Sequence, residues 1–199
     1  RVPKEGERVI GGLAYRDFMM VGLLLDKVPL KQGKTLKDNW IYVHDPDLKV
    51  GRVQFFNNWS PWMVKNNKTW WVGMEYFCNE GDILWKQKNS QLKKIAEKEL
   101  RQMSLLGRFE VRDGVVLRVP KAYPAYTGGY QEFEVVRKFF DRFENLFLIG
   151  RNGMHRYNNQ DHSMLTAMEA VKNIISGEGC KDNIWNINTE DDYHETSER

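Results

Sequence analysis

The chain has 199 residues, of which 41% are hydrophobic, enough for one ordinary domain with a core, or for one domain and a small appendage. A balance of 30 basic against 27 acidic residues leaves a formal net charge of +3, too weak a field to point to a nucleic-acid partner. Cys78 and Cys180 are too few for a disulfide framework, and no apolar run approaches the roughly 20 residues that span a bilayer, so a soluble, cytoplasmic protein without a membrane span is expected.

The chain opens with Arg1, Lys4 and Glu5 and without an initiator Met, as an excised or processed segment would. Phe18 to Leu25 is a continuous apolar run closed by Asp26-Lys27-Val28-Pro29, which predicts a central strand buried on both faces. Trp40 to Val43, Arg52 to Phe56 and Trp70 to Phe77 are rich in aromatic and β-branched residues. The turn-forming His44-Asp45-Pro46-Asp47 and Asn57-Asn58-Trp59-Ser60-Pro61 separate them, so they predict an antiparallel meander.

From Asp82 the period becomes helical. Leu92, Ile95, Ala96, Leu100 and Met103 share one face against Lys93, Lys94, Lys98 and Arg101, and Gly107 is the expected stop. A short strand at Val115 to Val119 follows, then an aromatic-rich helix at Tyr130 to Phe143, a buried strand at Leu146 to Ile149 and a last helix at Ser163 to Ile175 before Gly177. The segment from Asn183 reads as a polar, acidic tail. The fold class is therefore α+β, an antiparallel sheet with covering helices followed by a helix-strand-helix.

The stretch from Asn145 to Met168 carries the most chemistry. Gly150 and Gly153 allow backbone to approach a bound group, Asp161 or Ser163 can cap the last helix, and the helix N-terminus faces the loop. Such an end offers free N–H donors and about half a positive charge, suited to a phosphate or an electron-rich carbonyl, and Arg151 could add a bidentate contact to a pyrophosphate. Met164, Ala167, Met168, Val171, Ile174 and Ile175 form a stripe expected to pack in a core. Tyr123, Tyr126 and Tyr130 place three rings on a turn, fit for lining a substrate cavity or for packing. His155 and His162 suit loop hydrogen bonds or proton relay. His44 with Asp45 and Asp47 reads as turn chemistry, and no metal site is expected.

Gly150-Arg151-Asn152-Gly153, followed by Tyr157 and Asn159-Gln160-Asp161, resembles the last cofactor-contacting motif of the flavoprotein superfamily of amine oxidases, protoporphyrinogen oxidases and UDP-galactopyranose mutases. The resemblance extends back through Ala122 to Tyr126 and more loosely to Asp17. It implies that the chain is the C-terminal portion of an FAD-dependent oxidoreductase. FAD contacts would come from Gly150, Arg151, Asn152, Gly153, Asn159, Gln160, Asp161, His162, Ser163 and Met164, and substrate contacts from Tyr123, Tyr126 and Tyr157.

The mutase loop shares Gly150, Arg151, Gly153, Arg156, Tyr157 and Asp161. This chain departs from it at Asn159 and Gln160, so a flavin-dependent nucleotide-sugar isomerase is the alternative and a non-catalytic binding module a third reading. The implied division is 1–128 for a sheet-bearing substrate domain, 129–182 for the end of the FAD-binding domain and 183–199 for the tail.

No Gly-x-Gly-x-x-Gly occurs, so the main dinucleotide cradle is missing. The isolated chain is accordingly expected to be inactive, with weak or absent FAD binding. The expected partners are a small-molecule substrate, a nucleotide sugar under the alternative reading, and a second copy of the chain joined through the exposed C-terminal region.

Overall fold

The computed structural model describes residues 1–27 and 31–188. The expected strand closure at Val28-Pro29 and the tail beyond Asn188 lie outside them. The chain forms two compact units, one from Asp17 to Pro120 and the other from Arg1 to Arg16 together with the chain from Lys121 on.

Among the described residues there are five strands: β1 (Leu13–Leu25), β2 (Trp40–Tyr42), β3 (Arg52–Phe55), β4 (Trp70–Cys78) and β5 (Val111–Gly128). They make one antiparallel sheet in the order β2-β3-β4-β1-β5, so the α+β class and the β2-β3-β4 meander follow the sequence reading. The helices are α1 (Lys4–Gly11), α2 (Phe56–Trp59), α3 (Asn89–Gln102), α4 (Phe133–Phe140), α5 (Gly150–Gly153), α6 (Gln160–Ser176) and α7 (Asp182–Trp185).

In the Asp17–Pro120 unit, β1 pairs with β4 from Asp17↔Cys78 to Leu25↔Trp70. Met19, Val21, Leu23 and Leu25 point to the same side as Trp70, Val72, Met74 and Tyr76, and this face forms one core with Leu92, Ala96 and Leu100 of α3. The alternate residues Phe18, Met20 and Leu24 are only half-buried, so β1 is fully buried on one face rather than both. Apolar residues on both faces hid the period of two that a one-sided strand shows. Glycine is required at position 22, where a Cβ would come within 3.0 Å of the Val115 side chain.

The helix expected from Asp82 begins at Asn89, where the Lys88 N–H donates to Gln91 Oε1 at 3.3 Å. Asp82 instead closes a turn by accepting from the Asn79 N–H at 2.7 Å. The helix also stops before Gly107, with Ser104 at φ 51°. The short strand expected at Val115 to Val119 is the middle of the 18-residue β5, which contains Pro120 and Pro124. Prolines are tolerated because β5 is an edge strand, whose outer N–H groups have no ladder to serve.

In the other unit, α1 packs on α4, and the Gly129 N–H donates to Gly12 O at 2.8 Å. The aromatic-rich helix is a 3₁₀ turn, Gly129–Glu132, followed by the shorter α4. Leu146 to Ile149 is not a strand. The buried Lys181 ammonium donates to Phe143 O at 2.6 Å, Leu146 O at 2.9 Å and Asp141 O at 3.4 Å, so a side chain rather than a ladder satisfies carbonyls here.

The expected tail begins as α7, with Ile184 and Trp185 buried, and Asn188 Nδ2 donates to Tyr157 O at 2.6 Å. The α6 stripe does not pack in a core. Met164, Met168, Val171, Ile174 and Ile175 are 66%, 56%, 53%, 62% and 81% exposed, whereas Thr166, Ala170 and Asn173 form the buried face.

Candidate functional site

The site is the corner between α5 and α6. Gly150 opens α5 rather than ending a strand, and its φ of 70° lies in the left-handed region that favours glycine. A Cβ there would meet nothing nearer than Ser163 at 3.8 Å, so the backbone angle, not crowding, demands glycine. The Gly150 N–H donates to Thr166 Oγ1 at 3.1 Å, and the fully buried Thr166 hydroxyl donates to Ser163 O at 2.7 Å. One side chain thereby ties the corner to the first turns of α6.

Arg151 is half-buried. Its Nε–H donates to Asn158 O at 2.9 Å, and its guanidinium carbon lies 4.8 Å from the Tyr123 ring centroid and 4.7 Å from that of Tyr157. The two rings are 6.1 Å apart and 19° from parallel. Cation–π contact of this kind, worth about 0.5–2 kcal/mol per ring, holds the charge in place without consuming donors. Among the described residues the two terminal guanidinium nitrogens make no hydrogen bond. They remain available to an anion or a carbonyl.

An open cleft of about 670 Å³ lies at the N-terminus of α6, lined by Arg151, Asn158, Asn159, Gln160, Ser163 and Met164. Asn159 is the N-cap residue, and its N–H donates to His162 Nδ1 at 3.4 Å, so neither Asp161 nor Ser163 has the capping role expected of it. Asp161 occupies the first turn, where its charge complements the helix dipole.

Of the residues expected at a cofactor, Arg151, Asn159, Gln160, Ser163 and Met164 line the cleft. Gly150, Asn152, Gly153, Asp161 and His162 do not. Asn158, buried and next to the cap, lines it without having been expected. Its place in the run Tyr157-Asn158-Asn159 was the available signal. Thr166 was also missed, although a threonine inside an apolar helix pattern is a cue to a buried hydrogen bond.

The tyrosines divide into two pairs. Tyr123 and Tyr157 flank Arg151. Tyr126 accepts the Tyr157 N–H at its hydroxyl at 2.7 Å and stacks on Tyr130 at 4.5 Å. Tyr123 and Tyr126 lie on β5 rather than on a turn. His155 is buried, with Nε2 3.3 Å from Ala125 O, and burial moves its pKa below the ordinary imidazole value despite that bond. In the Asp17–Pro120 unit the Asp47 N–H donates to Asp45 Oδ1 at 2.9 Å, which is turn chemistry. Among the described residues no group of three His, Cys, Asp or Glu could hold a metal, and no helix is long and apolar enough to cross a membrane.

No protein-family model matches the chain, and no curated protein matches it by sequence. Solved structures do. Reduced UDP-galactopyranose mutase superposes with a TM-score of 0.72 at 19% identity, over 89% of this chain and 38% of the mutase chain. A protein assigned as a protoporphyrinogen oxidase from Exiguobacterium sp. 255-15 superposes with a TM-score of 0.53 at 14% identity, over 80% of this chain and 35% of the other. The chain therefore spans little more than a third of the length of these proteins, and at such identities the likeness is one of fold: this chain is built like part of each of them.

Proposed function

We propose that this chain is the C-terminal part of an FAD-dependent oxidoreductase, that the α5–α6 corner supplies its contacts to FAD, and that the chain alone is inactive. The observation that carries the reading is the cleft. A guanidinium with both terminal nitrogens unspent stands beside the N-terminus of the 17-residue α6, among polar Asn158, Asn159, Gln160 and Ser163. That donor set fits the oxygens of FAD and offers no carboxylate in the cleft lining to repel them. Arg151 would hold a phosphate or ribityl oxygen, the α6 N–H groups would stabilise negative charge on the ring carbonyls, and Asn158 and Gln160 would orient the group. When bound, FAD supplies the electron transfer, and the chain's own residues bind and orient it.

The exposed α6 stripe agrees with the proposal. In the superfamily that the sequence resembles, the last helix packs on the cofactor half, whose glycine-rich fingerprint does not occur in these 199 residues.

A mutase-like isomerase of a nucleotide sugar is the second reading. It is favoured by the better superposition on the mutase and by the Tyr157 ring against Arg151, where a substrate diphosphate could meet both.

Fluorescence titration of FAD with the purified chain tests the site. The chain is expected to purify colourless and to bind FAD weakly. Arg151→Ala should weaken that binding roughly tenfold to a hundredfold, the equivalent of about 1.5–3 kcal/mol for a charge-assisted contact, while Arg101→Ala leaves it unchanged. Stoichiometric yellow flavin after purification, or equal affinities of the two variants, would sink the proposal.

A further inference from the structure

His155 is 1% exposed and has φ 46°, a region that side chains other than glycine seldom occupy. Something in the surroundings must hold it there. Nε2 lies 3.3 Å from Ala125 O of β5, and since a carbonyl only accepts, Nε2 carries the proton. Nδ1 is then the lone-pair nitrogen, and among the described residues no donor or acceptor reaches it.

Three rings enclose the imidazole. Tyr15 of β1 meets it edge-on at 4.8 Å, Tyr130 of the 3₁₀ turn lies at 5.9 Å, and Phe133 of α4 stacks at 5.9 Å. Of the charged groups, β5 adds Lys121, whose ammonium lies 5.5 Å from the Tyr15 ring centroid. Arg156, the next residue in the chain, spends its guanidinium on Trp185 O at 2.7 Å and Asn188 O at 3.2 Å. Among the described residues no carboxylate hydrogen-bonds either ring nitrogen. The 3₁₀ turn adds Glu132, paired with Arg8, and α4 adds Glu134, paired with Arg137 and Lys138, so a proton on Nδ1 would make a buried cation with no acceptor of its own. Ring faces offer some cation–π compensation, less than the cost of taking an unpaired charge out of water.

We propose that His155 is an acid-sensitive pin, whose neutral imidazole holds the 150–159 loop in place and whose protonation releases that loop and the cleft with it. The inference does not rest on what the cleft binds. Release would travel along the chain, because Asn158 O is the acceptor that anchors Arg151 and the Tyr157 N–H is held by Tyr126. The sign follows from burial. The folded imidazole has a pKa below the unfolded value of about 6.5, so the unfolded chain binds more protons, and the pin's stabilisation is complete above that pH and lost as pH falls through the folded value.

The test is NMR on the wild-type chain between pH 7.5 and 5, with amide exchange corrected for its intrinsic rate. His155 should resist protonation until the loop opens, and amides 154–159 should lose protection by up to about tenfold per pH unit below roughly 6.5. His155→Phe, which keeps a ring and cannot titrate, should flatten that response, while His44→Ala, exposed in the Asp17–Pro120 unit, should not. A His155 that titrates at or above the ordinary imidazole value, or loop protection that does not change with pH, overturns the proposal. Should the Phe variant not fold, the wild-type titration decides.

Discussion

Glu99 gives the sharpest energetic prediction. It sits on the core-facing side of α3, in line with Leu92, Ile95 and Met103, and its buried carboxylate accepts from the Lys49 N–H at 2.9 Å, the Val50 N–H at 3.2 Å and the Tyr76 hydroxyl at 3.0 Å. Burial first, and then the carboxylate, holds the Tyr76 phenol protonated well above its ordinary range, so it donates at any working pH. Glu99→Ala strands two donors, the Val50 N–H and the Tyr76 hydroxyl, in places where water does not reach; the exposed Lys49 can find water for its own. At about 1–3 kcal/mol for each of the two buried groups left unpaired, the variant should lose about 2–6 kcal/mol. Tyr76→Phe should lose only about 1 kcal/mol, because the carboxylate keeps its backbone partners. The double variant should cost less than the sum, with a coupling of about 0.5–3 kcal/mol. Urea unfolding followed by tryptophan fluorescence measures this, since six of the seven tryptophans lie in the Asp17–Pro120 unit that holds Glu99. A Glu99→Ala variant within about 1 kcal/mol of wild type, or strict additivity, would show that the Glu99 carboxylate does not hold Lys49, Val50 and Tyr76 together.

Lys181→Met should destabilise the other unit by about 2–4 kcal/mol, read as a lowered melting temperature in near-ultraviolet dichroism, because three carbonyls lose their shared donor. An unchanged melting temperature would mean that water replaces the ammonium at no cost. The isolated chain should also self-associate through α6, whose exposed Met164, Met168, Val171 and Ile175 follow the alternating four-and-three spacing of a helix-packing seam. Light scattering should show dimers that Met168→Lys disperses and Lys98→Glu does not; a clean monomer at high concentration would refute this.

Strands with an apolar period and clear turn residues were legible: β2, β3, β4 and most of β1 stand where the residues put them. The errors share a cause. Leu146 to Ile149 has the composition of a buried strand, but composition cannot reveal that a lysine far along the chain will take the Leu146 carbonyl and the Phe143 carbonyl just before it. The strand expected at Val115 to Val119 stopped short of Pro120 and Pro124, and only the position of β5 at the sheet edge shows why these prolines are harmless. At the site, the last helix was expected at Ser163 with Asp161 or Ser163 as its cap, whereas it starts three residues earlier at Gln160 and is capped by Asn159. The Tyr123 ring against Arg151 was not readable, since it depends on β5 extending into the unit that holds α6.

The inverted burial of α6 explains how so open a corner can hold a defined geometry. A helix buried by apolar contact can slide or rotate by fractions of a turn at modest cost, because that attraction has no direction. The buried face of α6 is instead fixed at both ends by directional bonds. Thr166 holds Gly150 near the start, and near the end Asn173 exchanges amide hydrogen bonds with Asn183 at 3.0 and 2.9 Å while donating to Cys180 O at 3.0 Å. The rotation of the helix about its axis, and hence the direction in which its first N–H groups face beside Arg151, is set by these partners. The apolar face has no part in that placement and can be given over to whatever packs on it, without altering the cleft at the helix start.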